Sequence, residues 1–259
     1  MALIWRLAFA IALVAIPHVA SAQIVNVQGA LAKTPAGDGE TGQLDAKLNW
    51  RTGNNPIIDV GGAGSLLVRR GRLLGLAVAR GEYGFGRGLT LTEKTFEHLR
   101  ARVFLDCRWR WEVFVQHEFD RFRRLSLRTL AGTGPAVQLF GEDGVAVTTG
   151  AAYLLEYERL DTRDGTTDAG ERYVDHRGSL YATASEALNP TVTMVETVYV
   201  QPRLDRPSDV RVFGEIALQA KLSTHVGLRN SFTVAYDDTP PEGVGRSDTA
   251  LEVAILVIF

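Results

Sequence analysis

The sequence predicts an all-β protein, a transmembrane antiparallel β-barrel of about twelve strands. Three observations predict it. After residue 40, apolar and polar residues alternate at a period of two over runs of 10 to 14 residues. Soluble strands usually run about 5 or 6 residues, whereas a tilted strand crossing a bilayer needs about 9 to 11. The apolar faces of these runs carry little charge, and the opposite faces hold Arg, Asp, Glu and Gly, the lipid-out, polar-in alternation of a membrane barrel. Loop lengths agree. With Phe259 placed in the periplasm, the connections at 70–72, 107–110, 140–144, 187–190 and 222–224 are short and periplasmic, while the longest, 83–94, 159–172 and 238–246, fall outside. A secreted β-sandwich is the rival, and it explains neither strand length nor loop asymmetry.

The elements follow in order. Met1 to Ala22 reads as a signal peptide, with Arg6 as a basic start, an apolar run from Leu7 to Ile16, Pro17, and small residues Ala20-Ser21-Ala22 at the expected cleavage site. Ten apolar residues are too few for a spanning helix, which needs about 20. Residues 23–40 are expected to form an N-terminal periplasmic leader, in which 24–32 alternate and could add a short strand. The barrel is expected over 41–259. Its strands are expected at 41–52, 57–69, 72–82, 95–107, 110–122, 124–139, 145–158, 173–186, 191–202, 209–222, 225–237 and 247–259. Gly, Asn and Pro mark the reversals, as in Thr52-Gly53-Asn54-Asn55-Pro56 and Ala187-Leu188-Asn189-Pro190. Two strands are less regular. Around 72–82 both faces are apolar or small, and Glu196 shares a face with Val192, Met194, Val198 and Val200.

Composition narrows the function classes. At 46% apolar and 22% charged residues the chain can bury a core, which excludes long-range disorder. One cysteine, Cys107, excludes an internal disulfide, and a net charge of −2 gives no global pull toward nucleic acid. His98, His176 and His225 show no ligand spacing with Cys107, so no metal or cofactor is expected. Trp109 and Trp111 at a periplasmic turn and Trp50 near an external end occupy girdle positions. The terminal Phe259 is of the kind that barrel assembly machinery reads as a signal, which makes that machinery an expected partner.

The segment from Phe114 to Leu125 (FVQHEFDRFRRL), the following Leu130-Ala131-Gly132-Thr133-Gly134-Pro135, the Tyr153–Glu158 run and the ending Tyr236–Val244 with Asp248 and Phe259 resemble a family of outer-membrane proteins. That family is labelled salt-induced outer-membrane proteins, or the domain of unknown function DUF481. The resemblance covers most of 41–259 and implies an outer-membrane β-barrel of Gram-negative type. It brings no established activity and no catalytic residues.

Arginine outnumbers lysine 24 to 4. On the assigned registers the inner face carries Arg100, Arg102, Glu112, Glu118, Arg128, Glu156, Arg177, Arg211, Glu215, Arg229 and Glu252. The planar Arg fork pairs bidentately with carboxylates. These charges either cancel one another and fill a narrow barrel, or line a polar channel and set its selectivity. Arg121, Arg123 and Arg124 fall at an external turn, where they could meet lipopolysaccharide phosphates or simply be solvated. Gly132, Gly134 and Pro135 point to a bulge or curvature. An outer-membrane hydrolase of lipase type is the alternative. It would need a Ser and a His on one face, yet His117 points outward while Ser126, on the next strand, points inward. The expected function is therefore non-catalytic, a small channel or envelope-integrity barrel in the outer membrane, in contact with its lipid and lipopolysaccharide.

Overall fold

A computed structural model describes residues 24–53, 56–142 and 144–259. The expected signal peptide lies outside these residues. The described residues form one short helix, α1 (Gln28–Leu31), and twelve strands: β1 (Gly39–Arg51), β2 (Ile57–Arg70), β3 (Leu73–Gly86), β4 (Leu89–Phe104), β5 (Trp109–Asp120), β6 (Leu125–Glu142), β7 (Val145–Leu160), β8 (Arg172–Asn189), β9 (Val192–Pro202), β10 (Val210–Lys221), β11 (Val226–Asp237) and β12 (Ser247–Ile258). Every strand pairs antiparallel with its sequence neighbours, and β12 returns to β1 to close the barrel. Closure follows from the medium, because an unpaired backbone edge cannot face hydrocarbon.

Alternation sets the two faces. In β4, Leu99 and Val103 are exposed on the outside, while His98, Arg100 and Arg102 are buried inside. The same parity runs through β12, where Leu251, Val253, Ile255 and Val257 lie outside and Leu256 is buried. Glu196 does face outward with the apolar residues of β9, and the inner face of that strand carries Val195, Thr197, Tyr199 and Gln201.

One expected loop is absent. Residues 83–94 continue β3 and β4 and reverse at Arg87-Gly88, whose φ values are 52° and 78°. Two consecutive left-handed residues make the tight hairpin turn whose twist matches the strands. The remaining asymmetry stands, since 161–171 and 238–246 are long and external while 71–72 and 190–191 are short. Gly132 and Gly134 serve close packing. A Cβ on Gly132 would sit 2.4 Å from the Phe114 ring, and one on Gly134 would sit 2.0 Å from the Ala151 carbonyl oxygen. The register shifts of β6 lie elsewhere, at Leu125/Leu127 and Gln138/Phe140.

The larger departure concerns the leader. Residues 24–31, expected below the barrel, lie inside it, residues 32–38 run out to an exposed end at 36–38, and residues 39–40 already belong to β1. Val27 and Leu31 pack against Leu67, Leu74, Leu76, Val78 and Phe96 of β2–β4. Ile24 reaches Tyr181, Tyr199 and Phe213 near mid-barrel.

Candidate functional site

The lumen is the candidate site, and its chemistry divides by height. On the external side, Glu156 of β7 is 1% exposed and receives three arginines: Arg128 Nη2 at 2.5 Å, Arg211 Nη1 at 2.6 Å and Arg177 Nε at 3.4 Å. Each guanidinium has further carboxylates. Arg128 also faces Glu118 at 3.4 Å, Arg177 reaches Asp209 at 3.0 Å, and Arg211 bonds Glu158 and Asp237, both at 3.0 Å. A buried charge is tolerated only when so compensated. Glu156, Glu158 and Asp175 bring carboxylate oxygens within 4.8 Å of one another, and the arginines supply their countercharge. On the periplasmic side, Arg100 donates to Glu112 at 2.9 Å and Arg102 pairs with the same carboxylate. Tyr181 Oη adds a third donor to Glu112 at 3.1 Å.

All eleven inward candidates read from the sequence lie on this inner wall. Arg229 pairs with Glu215 at 2.6 Å, and Glu252 with Lys47 at 3.2 Å. The structure adds partners that alternation did not single out, among them Asp175, Asp209, Asp237 and Tyr181.

The leader completes the filling. Gln28 Nε2 donates to Tyr199 Oη at 3.0 Å, Arg80 to the Asn26 carbonyl at 2.8 Å, and Arg69 to the carbonyls of Pro35 and Ala36 at 2.7 and 2.8 Å. Wall arginines thus hold leader backbone oxygens, and the Arg80–Asn26 bond is partly buried inside the barrel. Among the described residues, four cavities lie along the leader. The external one, about 130 Å³, has Val25 on its floor and is lined by Lys47, Glu82, Lys94 and Glu252. Two of about 30 Å³ flank Ile24 and Asn26. The periplasmic one, about 250 Å³, lies between α1 and the wall residues Arg102, Arg110 and Gln138. Leader residues border each of the four.

The external arginines divide. Arg121 is exposed and pairs with Glu93 at 2.9 Å. Arg124 and Arg123, expected as surface contacts for lipopolysaccharide, are buried instead. Arg124, at φ 61°, bonds Asp161 at 2.9 Å, Asp168, Thr166 Oγ1 at 2.7 Å and the Glu242 carbonyl at 2.9 Å. It therefore pins the loops 161–171 and 238–246 together across the barrel mouth. Arg123 bonds Asp248 at 2.9 Å. A turn rich in arginine looks solvated in sequence, and apart from Asp120, 3.4 Å from Arg123, the carboxylates that pair with these two lie more than 30 residues away. Glu242 fixes the same loops from the other side. The hydroxyl and N–H of Thr167 both donate to its carboxylate, at 2.7 and 2.8 Å, and hold its pKa below the ordinary value.

His117 points outward and pairs with Glu97 at 2.6 Å. Thr129, not Ser126, stands opposite it on β6, so the serine–histidine pair of a hydrolase is not brought together there. Phe259 extends the β1–β12 pairing by exchanging backbone hydrogen bonds with Gly42.

Comparison with known proteins matches the fold. A family model described as a protein of unknown function, DUF481, matches residues 45–259. The NanC porin structure superposes with a TM-score of 0.50 at 9% identity, covering 83% of this chain and 99% of that one. The translocator domain of the autotransporter NalP from Neisseria meningitidis gives 0.52 at 11% identity, covering 90% and 92%. At these identities the likeness is one of fold, the outer-membrane β-barrel. No curated protein matches the chain in sequence.

Proposed function

The chain belongs to this family of unknown function, DUF481, and from that premise we propose that it is a small, non-catalytic outer-membrane channel whose axial path is closed by its own leader. One observation carries the reading: leader residues border all four cavities just described. Withdrawing residues 24–38 joins those spaces from the external cavity, mainly against β1–β4, to the periplasmic one, mainly against β4–β8, while the Glu156 network keeps the rest of the external half filled. The resulting passage is narrow and lined by both signs of charge, which favours small polar solutes over large or apolar ones.

The test is conductance in planar bilayers of the full-length mature chain against a chain lacking residues 24–38. The full chain is expected to be nearly silent and the shortened one to show steady conductance, at least several-fold larger. A shortened chain that folds, shifts mobility on heating and stays silent would overturn the reading in favour of a solid structural barrel.

A further inference from the structure

The barrel wall is not sealed along its whole height. Neighbouring strands elsewhere pair over nine or more register positions, as in β8 with β9. Among the described residues, β1 and β12 pair over four, from Gln43↔Ile258 to Ala46↔Ile255, with Gly42 and Phe259 adding one more at the periplasmic end. Above Ala46 the two strands continue to Arg51 and from Ser247, and among the described residues their backbone ladders there run along the other edges, to β2 and β11, with the Lys47–Glu252 ion pair reaching across the gap. Both backbone groups of Gly42 bond Phe259, so by the alternation of an antiparallel ladder the groups of Leu48 and Trp50 on β1, and of Leu251 and Val253 on β12, point into the gap. These four side chains are exposed outside the barrel, Leu251 by 75% and Trp50 by 73%. The gap opens directly behind them into the external cavity, whose lining includes Asp45, Ala46 and Lys47 from one strand and Glu252 and Ala254 from the other.

Unpaired edges facing a bilayer call for a hydrogen-bonding occupant. The cavity specifies its charge. Lys47 lies 2.7 Å from Glu82 and 3.2 Å from Glu252, Lys94 lies 2.9 Å from Glu82, and Arg229 lies 3.8 Å from Asp45. Cations and anions are balanced four to four around about 130 Å³. So charged a lining suits a headgroup and not an acyl chain. We propose that the β1–β12 gap is a lateral portal through which the cavity binds the headgroup of a zwitterionic phospholipid, with the lipid's chains remaining in the membrane against Leu48, Trp50, Leu251 and Val253. Phosphate oxygens accept from Lys47 and Arg229, the ammonium donates to Glu252 and Glu82, and ester oxygens meet the free N–H groups of the strand edges. A second copy pairing edge to edge is the competing occupant. Its edges would meet the gap, but it would leave the charged cavity unused.

The test is native mass spectrometry of the full chain after equal exposure to phosphatidylethanolamine and phosphatidylglycerol. Retention of phosphatidylethanolamine is expected to exceed that of phosphatidylglycerol at least five-fold. Ala254→Trp, which fills the cavity, and the smaller change Lys47→Met are each expected to abolish the preference, whereas Ala101→Trp, on the outer wall away from the gap, leaves it intact. Equal retention, preference for the anionic lipid, or a dimer as the main species would each overturn the proposal. Such a result would leave the axial channel untouched, because the leader-deletion conductance does not depend on the seam.

Discussion

Gly42 and Phe259 close the barrel as a fitted pair. Their backbones exchange hydrogen bonds of 2.8 and 3.0 Å, and the Phe259 ring lies 2.2 Å from where a Cβ on Gly42 would stand. Gly42→Val therefore drives a methyl group into the ring at the short paired stretch of the seam. The Phe259 ring is 66% exposed and can turn aside, so the cost falls at or below the low end of core overpacking, about 1 kcal/mol. Urea unfolding followed by circular dichroism should show that loss, while Gly81→Ala, where a Cβ meets nothing within 4 Å, should stay near the parent.

Unseating the leader without deleting it is a gentler probe of closure. Val27 is 2% exposed amid Leu67, Leu74 and Leu76. Val27→Asp places an uncompensated carboxylate among them, which favours release of the leader into water. The barrel should remain folded and its bilayer conductance should rise several-fold. Unchanged conductance with the leader shown to be displaced would count against axial gating.

Glu156 is the hub of the external network, and its loss should be disproportionate. Glu156→Gln leaves Arg128, Arg177 and Arg211 crowded without their shared anion, a defect of about 3–5 kcal/mol. Glu40→Gln breaks a pair with Arg70 in which both side chains are more than half exposed, and should cost about 0–1 kcal/mol. Unfolding midpoints of the two variants compare them directly.

The external loops should loosen in acid. Thr167 donates twice to Glu242 and holds its carboxyl below the ordinary 4.5. Burial opposes ionisation of Asp168, but the Glu242 N–H and the Arg124 guanidinium outweigh it and lower that carboxyl below its ordinary 3.8. A carboxyl with a lower pKa folded than unfolded adds stability above its unfolded value, and that stability is lost as pH falls through the folded one. A spin label at Asp164→Cys, in a Cys107→Ser background, should be immobile at neutral pH and gain mobility as pH drops below the ordinary carboxylate range. With Arg124→Met added, the label should be mobile throughout.

Most of the wall was legible because the bilayer imposes it. A residue facing lipid must be apolar and its neighbour need not be, so alternation marks twelve strands and their inward parity, Arg100 and Arg211 included. Where the bilayer stops, the rule stops. Thr90, Thr92, Glu93 and Lys94 extend β4 with polar residues on both faces, and the Arg87-Gly88 turn lacks the Asn-Gly signature, so 83–94 reads as a loop. Long-range burial is equally silent, as Arg123 and Arg124 show. One irregularity did carry information. The doubly apolar stretch at 72–82 arises because Leu74, Leu76 and Val78 face the leader while their neighbours face lipid. An inward apolar patch on a membrane strand is a signal that something other than water lies against it.

The leader also constrains how the molecule is assembled. It precedes β1 in the chain, yet it packs between β2–β4 and β8–β10, within a wall closed by the pairing of its first and last strands. The cylinder can be wound upon its earliest-made segment as on a mandrel, with the greasy inner sides of the first hairpins gripping it before the far strands curl round. Moving the leader to the C-terminus would bring it to the barrel from the other end of the chain, away from the first hairpins whose apolar inner sides it covers.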